Sequence, residues 1–359
     1  MIRRMPPHTA ELTTVVHPRT ALAARLPALA AFVRDSAPLV PLSKHPAWLN
    51  VLQAALGHEA YAVEVTLGGR TVGFLPLAYV SSILFGRFLV SLPYLNSNGA
   101  LTSSPEVQVL LVSRAVVLAD ELGVRYLELR HERPIDHPAL NARLASKVHV
   151  RLALPRSAQR LWKDLDPKVR NQVRKGEKPG FAVAWGGVEL LDGFHDVLSR
   201  NMRDLGSPVY SKRLFREILA TFPGEAEVCL VRHGAAPVAA ALLLHGQGVT
   251  EVPSASSLRE YNPTSVNMLM YWHLLKRSVE RGQEVFDFGR STAEGPTFKF
   301  KKQWGAVPHS AVWQYHVREG TAGEMRPDNP RYQSAIRLWQ RLPVGLTRLL
   351  GPLIVCGIP

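Results

Sequence analysis

The groups best suited to hold or polarise an anion are concentrated at residues 285–306, VFDFGRSTAEGPTFKFKKQWGA. An apolar, strand-like run through Val285, Phe286 and Phe288 carries Asp287, passes Gly289 and Arg290, and ends in Lys299, Lys301 and Lys302 threaded between Phe298, Phe300 and Trp304. Ammonium donors suit an enzyme that must hold phosphate or stabilise a developing oxyanion. If the lysine segment is extended, its three rings at even positions face one way and anchor it, leaving Lys299 and Lys301 to face a cleft. By spacing alone, a solvated lysine cluster is an equal alternative. Asp287, at the end of a strand, is the carboxylate best placed to orient a lysine or Arg290, with general-base work a weaker role; a structural ion pair is the commoner reading of such a group.

A second basic run lies at residues 151–180, with nine Lys or Arg against three acids. Arg170, Arg174 and Lys178 recur at i, i+4 and i+8, so a helix here carries a cationic stripe flanked by Lys168 and Lys175. Taken alone, the stripe reads as a solvated face before it reads as a polyanion contact. Other signals fail on context. Asp287-Phe288-Gly289 spells the metal-binding triplet of protein kinases, yet no Gly-rich loop and no His-Arg-Asp loop accompany it. His131, Glu132 and His137 lack the spacing of a helical zinc site, and Pro134 would break the helix. Neither a nucleophile elbow, nor a Walker A loop, nor a dinucleotide fingerprint is present. No metal site is expected.

Composition sets the frame for these residues. The 359 residues suffice for two domains, each with its own core. An apolar content of 46% and a mean hydropathy of -0.02 describe a globular chain. The formal charge of +14 favours polyanionic partners such as RNA, nucleotide-linked substrates or an acidic membrane surface. Two cysteines, Cys229 and Cys356, support neither a disulfide framework nor a cysteine zinc site, and a cytoplasmic location is expected. The apolar stretches at 21–33 and 77–92 are interrupted by Arg25, Pro27 and Arg87. Neither reaches the ~18 apolar residues of a spanning helix, and no signal peptide is expected.

The elements that must position the chemistry follow from periodicity. Residues 1–44 read as an N-terminal extension with at most one helix, at 22–33. A helix at 48–55, a hairpin of strands 61–66 and 71–79 around Gly68-Gly69, a strand at 88–92, a helix at 107–122 and a strand at 126–129 follow. After two helices at 190–205 and 212–221 the order recurs: strands at 228–232, 238–244 and 249–255, a helix at 267–281, and the strand that begins at Val285. Hairpin, strand, helix, strand, twice over, predicts tandem α/β domains, each a mixed twisted sheet flanked by helices, at 45–155 and 156–325. Residues 326–359 form a helical tail. Its stripe of Tyr332, Ile336 and Trp339 beside Arg331, Arg337 and Arg341 is expected to pack on its own domain in preference to lying on a membrane.

At residues 229–305 the segments PVAAALLLH, VPSASSLREYN, NMLMYWHLLKRSVERG, VFDFGRST and FKKQWGA resemble the second acyltransferase domain of the FemAB-like family. Residues 73–77 with LFGRFLVSLPYLNSNGA resemble its subgroup associated with exosortase/PEP-CTERM systems in exopolysaccharide loci. The resemblance implies two GNAT-type domains and transfer of an acyl or aminoacyl group to an amine or hydroxyl of an envelope or exopolysaccharide precursor. The donor would be aminoacyl-tRNA or acyl-CoA, as a cosubstrate rather than a tightly bound cofactor. The family's Phe-Lys-x-x-aromatic-Gly motif falls on Phe300, Lys301, Trp304 and Gly305, which implies that Lys301 stabilises the reacting oxygen, with Lys299 assisting. Lys168, Arg170, Arg174 and Lys175 match the family's basic helix, implying a contact with tRNA or nucleotide and none with DNA. One departure stands out: where acetyl-CoA enzymes carry a glycine-rich pyrophosphate loop, this chain reads Arg259-Glu260-Tyr261-Asn262-Pro263-Thr264-Ser265, without glycine. Arg259 and the helix start would still receive an isolated phosphate, and Tyr261, Asn262 and Asn267 are cleft candidates on spacing alone. The alternative class is a non-catalytic module of the same fold that binds RNA or an anionic glycan.

Overall fold

The computed structural model describes residues 11–322 and 332–358. Its strands are β1 (Leu12–Pro18), β2 (Glu59–Leu67), β3 (Arg70–Ser82), β4 (Gly86–Val90), β5 (Tyr126–His131), β6 (Ala142–Ala153), β7 (Ala182–Gly186), β8 (Ala226–His233), β9 (Ala236–His245), β10 (Val249–Ser257), β11 (Val285–Thr292) and β12 (Val307–Val317). They join one sheet in the order β1-β2-β3-β4-β5-β12-β6-β11-β10-β9-β8-β7. Two pairs are parallel, β4/β5 and β10/β11. Each needs a crossover, supplied by the helices Pro105–Glu121 and Val266–Glu280. Helix Pro105–Glu121 starts where the sequence dictates, with Ser104 accepting from the Val107 N–H and Pro105 in the first turn.

The repeat is therefore real in space, with an exchange at its centre. In chain order β6 follows the first half, yet it pairs with β11 of the second. Strand β12 follows the second half, yet it pairs with β5 of the first. Each half takes its last strand from the other, and β6 and β12 pair antiparallel along the seam. A single hydrophobic cluster also bridges the halves, uniting Leu22, Trp48, Ala60 and Phe74 with Phe194, Phe215, Val228 and Leu242.

Four strands lie outside the sequence expectations. The first 44 residues hold β1 as well as the helix Arg19–Asp35; β1 alternates along Thr13, Thr14, Val15 and Val16 and pairs with β2 at the sheet edge. Strands β6, β7 and β12 carry His, Arg, Lys or Trp among their apolar residues, which hid their period. The tail forms the helices Gln333–Trp339 and Val344–Val355 and packs on the second half. The Arg203 guanidinium donates to the Leu342 carbonyl at 3.0 Å, Gln340 Nε2 to the Asp204 carbonyl at 3.2 Å, and Arg348 pairs with Asp196. Arg331 lies outside the described residues. Among the described residues, no helix is long and apolar enough to cross a membrane.

Candidate active site at the seam

Strands β10 and β11 stay paired for three positions, Val249 with Val285, Thr250 with Phe286 and Glu251 with Asp287, and then separate. Both slip register at that point, β10 against β9 between Glu251 and Ser254 and β11 against β6 between Asp287 and Arg290. Such irregularities bend a strand and open a gap beside it. Gly289 makes the turn on the β11 side at φ +75, and a Cβ there would stand 3.0 Å from Asn96 Nδ2, so a side chain would meet both strain and a neighbour. Its N–H donates to Asp287 Oδ1 at 2.7 Å.

From this opening a hydrogen-bonded chain of side chains crosses the seam. Asp287 Oδ2 accepts from Arg151 Nε at 2.8 Å, and the Arg151 fork donates to both oxygens of Glu132 at 2.6 and 2.9 Å. Glu132 accepts from Ser97 Oγ at 3.1 Å, and Ser97 Oγ in turn accepts from Lys44 Nζ at 3.2 Å. The Ser43 N–H donates to Glu251 at 2.9 Å, and Asn98 Nδ2 donates to the Ser43 carbonyl. A cavity of about 640 Å³ opens over this chain. Lys44, Ser97, Glu132 and Arg151 line its polar side, and Val40, Ala153, Val249 and Val285 its apolar side. Residues from both halves thus build one site.

Burial and charge set the protonation of these groups. Burial, together with the Asp287 charge, raises the Glu251 carboxyl to about 7. Burial would also raise Glu132, but the hydrogen bonds and charge of Arg151 outweigh it and hold the carboxyl at about 2. Burial lowers Lys44 against the pull of Glu132 and Glu251. His149 is 1% exposed on β6, neither ring nitrogen has a hydrogen-bond partner, and burial lowers it to about 4. The arrangement offers one carboxyl that exchanges its proton near neutrality beside a fixed ion network.

The lysine segment is a helix, Pro296–Lys302, which corrects the extended reading. Pro296 opens it, and helical spacing then puts residues three apart on one face. Phe298, Lys301 and Trp304 are buried together, whereas Lys299 is exposed on the outer side, away from Lys301. The Lys301 ammonium donates to the Gly289 carbonyl at 3.0 Å and to the Arg290 carbonyl at 3.2 Å. Burial lowers it to about 8, Asp287 opposing and Arg290 assisting the shift. Trp304 packs in the core near Tyr271 and Phe300, its indole N–H without a partner. Asp287 pairs with Arg151, and the Arg290 guanidinium lies 3.5 Å from the centre of the Trp313 ring.

The remaining candidates lie elsewhere. Arg259 donates to the Asp204 carbonyl at 2.8 Å, Tyr261 stands beside the Phe181 and His233 rings, Asn262 is exposed, and Asn267 is half-buried in the first turn of helix Val266–Glu280. Lys168, Arg174 and Lys175 are exposed on helix Pro167–Glu177, while Arg170 caps the preceding helix through the Lys163 carbonyl at 3.0 Å. This basic helix covers the start of helix Val266–Glu280. A Cβ on Gly176 would fall 2.9 Å from the Ser265 carbonyl oxygen, and Ser265 Oγ donates to Gln172 Oε1 at 2.7 Å. With that cover, with Pro263 in the preceding turn and with no glycine, the segment does not fit the open amide cradle a CoA pyrophosphate requires.

Sequence reasoning missed Glu251, Arg151, Glu132, Ser97 and Lys44. The one local signal was Glu251 itself, the single charged residue of β10. Among the described residues, no group of His, Cys, Asp or Glu could hold a metal ion.

Comparison with known proteins agrees with this architecture. Residues 167–302 match the family model of the acetyltransferase (GNAT) domain. The crystal structure of FemX superposes with a TM-score of 0.62 at 15% identity, covering 86% of this chain and 97% of that one. A tandem GNAT protein from the clavulanic acid biosynthesis pathway gives 0.54 at 14% identity, covering 87% and 100%. The C-terminal domain of a putative lysylphosphatidylglycerol synthetase from Agrobacterium fabrum gives 0.54 at 12%, covering 83% and 93%. No curated protein matches the sequence. The chain has the fold of tandem GNAT proteins, and its second half carries a GNAT acetyltransferase domain.

Proposed function

We propose that this chain is an acyl or aminoacyl transferase that moves its group onto an amine or hydroxyl of a cell-envelope or exopolysaccharide precursor. The observation that carries the reading is the cavity of about 640 Å³ over the Lys44, Ser97, Glu132 and Arg151 network, with the Glu251 carboxyl, raised to about 7, at the adjoining β10/β11 opening and the Lys301 ammonium held on the Gly289 carbonyl of β11. The GNAT domain match supports group transfer. The likeness to FemX and to the putative lysylphosphatidylglycerol synthetase supports the aminoacyl form and an envelope acceptor. The resemblance of residues 73–77 and 84–100 to the exosortase-associated subgroup supports an exopolysaccharide system, with the enzyme working in the cytoplasm.

Attack by the acceptor on an activated ester needs a held nucleophile, a proton acceptor and an oxyanion donor. Glu251 takes the proton as the new bond to the carbonyl carbon forms. The carbonyl oxygen becomes an oxyanion facing the remaining N–H of Lys301. Collapse breaks the ester C–O bond, and Glu251 returns the proton to the departing oxygen. On the polar side of the cavity Lys44 and Ser97 stand beside the Arg151–Glu132 ion pair, a wall of mixed charge that suits a polar group on the acceptor. Aminoacyl-tRNA is the favoured donor: Lys168, Arg174 and Lys175 face solvent, and the same helix closes the place where CoA would dock.

The test is incubation of the purified protein with charged tRNA or acyl-CoA and a precursor extract, followed by mass spectrometry of the acceptor. Product that RNase abolishes supports the tRNA route. Product that resists RNase and consumes thioester overturns the donor assignment. No product with either donor returns the chain to the class of binding modules.

A further inference from the structure

The tail helix Val344–Val355, VGLTRLLGPLIV, has one charged residue, Arg348, and is apolar around its whole circumference. Its inner face, Thr347, Gly351 and Val355, is buried. Gly351 lies so close to Val209 that a Cβ would fall 2.9 Å from that residue's backbone nitrogen and oxygen. Its outer face carries Leu346, Leu349 and Leu353 at i, i+3 and i+7, and the last two are 69% and 72% exposed. A helix that is apolar all round normally lies in a core or in lipid. Twelve residues rise about 18 Å. That falls short of the ~30 Å of bilayer hydrocarbon, so such a helix lies in an interface rather than crossing it.

The tip of the β3–β4 hairpin continues the apolar surface. Ile83 is fully exposed and Leu84 is 74% exposed. The end of the tail is tied to this tip: a Cβ on Gly357 would fall 2.5 Å from Ser82 Oγ and 3.2 Å from the Phe85 ring. The Tyr94 hydroxyl, in turn, donates to the Cys356 carbonyl at 2.9 Å. Gly357 follows Leu353 by about one helical turn. Charge is equally one-sided. Residues 332–358 contain Arg337, Arg341 and Arg348 and no acid, and residues 79–88 contain Arg87 and no acid. Arg87, Arg337 and Arg341 are exposed. Beside Cys356 opens a cavity of about 750 Å³ whose wall includes Arg19 and Arg213 together with His58 and Glu59.

We infer that the tail helix and the hairpin tip together seat this protein on an anionic lipid bilayer. Leu346, Leu349, Leu353, Ile83 and Leu84 enter the acyl boundary, and Arg87, Arg337 and Arg341 meet the headgroup phosphates. A second copy of the chain fits the surface less well, because a two-fold contact would set the same arginines against each other, and neither residues 332–358 nor residues 79–88 carry an acid to receive them.

The experiment is flotation of the full chain with vesicles of pure phosphatidylcholine and with vesicles containing phosphatidylglycerol, in the absence of any transfer assay. Binding is expected to the anionic vesicles and to weaken at least about tenfold in Leu349→Glu/Leu353→Glu, with circular dichroism unchanged because both side chains are already exposed. Arg337→Ala/Arg341→Ala is expected to keep the fold and to lose the preference for phosphatidylglycerol. Failure of the wild type to float with anionic vesicles overturns the inference, as does equal flotation of the double leucine variant. A dimer in lipid-free buffer that Leu349→Glu dissociates assigns the leucines to self-association and overturns it as well.

Discussion

Each half of the molecule opens a parallel strand pair beside a carboxylate, and the two openings are built differently. In the first half the last paired residues of β4 and β5 are Val90 and Glu128. Glu128 accepts from Arg130 Nε at 2.7 Å, Arg130 Nη1 donates to the Leu95 carbonyl at 2.8 Å, and the Arg130 N–H donates to Ser91 Oγ at 2.8 Å. Both charged residues are 3% exposed, and the opening closes on itself. In the second half Glu251 stands where the first has Val90, and Asp287 where it has Glu128. Asp287 is held by Arg151, and Glu251 is left with a backbone N–H and a carboxyl raised to about 7. One extra carboxylate at an equivalent position separates a structural ion pair from a group able to exchange protons. The first half also supplies Asn96, Ser97 and Glu132 to the site of the second, so it serves as scaffold and as wall.

The sharpest way to break this comparison is to remove the two glutamates separately. Glu251→Gln is expected to lower turnover by about 10²- to 10⁴-fold, read in the transfer assay, with acceptor binding retained. Glu128→Gln is expected to leave Arg130 buried without its partner and to cost about 3–5 kcal/mol of stability in urea unfolding, with turnover per folded molecule unchanged. Equal losses of turnover would mean that both openings take part in chemistry. Lys301→Met is expected next, with turnover down about 10²-fold from loss of the oxyanion donor. The pH profile carries the same information: activity should rise as Glu251 deprotonates near 7 and fall as Lys301 deprotonates near 8. Lys301→Arg should extend the alkaline limb, because guanidinium keeps its proton.

What the sequence shows and what it hides follow from the range of the interactions. The repeat, both hairpins, both crossover helices and the strand that begins at Val285 rest on local period and turn residues, and these were legible. The exchange of β6 and β12 was not, because the pairing of residues 142–153 with residues 285–292 and 307–315 leaves no mark in either segment alone. For the same reason the site was half visible. Asp287 and Lys301 sit in one motif, whereas Arg151, Glu132, Ser97 and Lys44 come from four separate segments that only the folded sheet brings together. Lys299 was misplaced by a period: two residues apart share a side of a strand but not of a helix.

The smallest expected effect tests the same contrast through stability. Glu251 has its carboxyl raised to about 7 in the fold, above the ordinary value of 4.5, so the folded state holds a proton there that the unfolded chain releases. Its contribution is fully present below pH 4.5 and is lost as pH rises through about 7. Glu132, held at about 2, has the opposite sign: its contribution is present above pH 4.5 and is lost as pH falls toward 2. Glu251→Gln should therefore match the wild type in urea unfolding at pH 4 and exceed it at pH 8 by on the order of 3 kcal/mol, as the Gln side chain carries no charge to bury. Wild-type and variant curves that stay parallel from pH 4 to pH 8 would mean that the Glu251 carboxyl keeps its ordinary value in the fold, and with that a group poised near neutrality would have to be sought elsewhere in the opening.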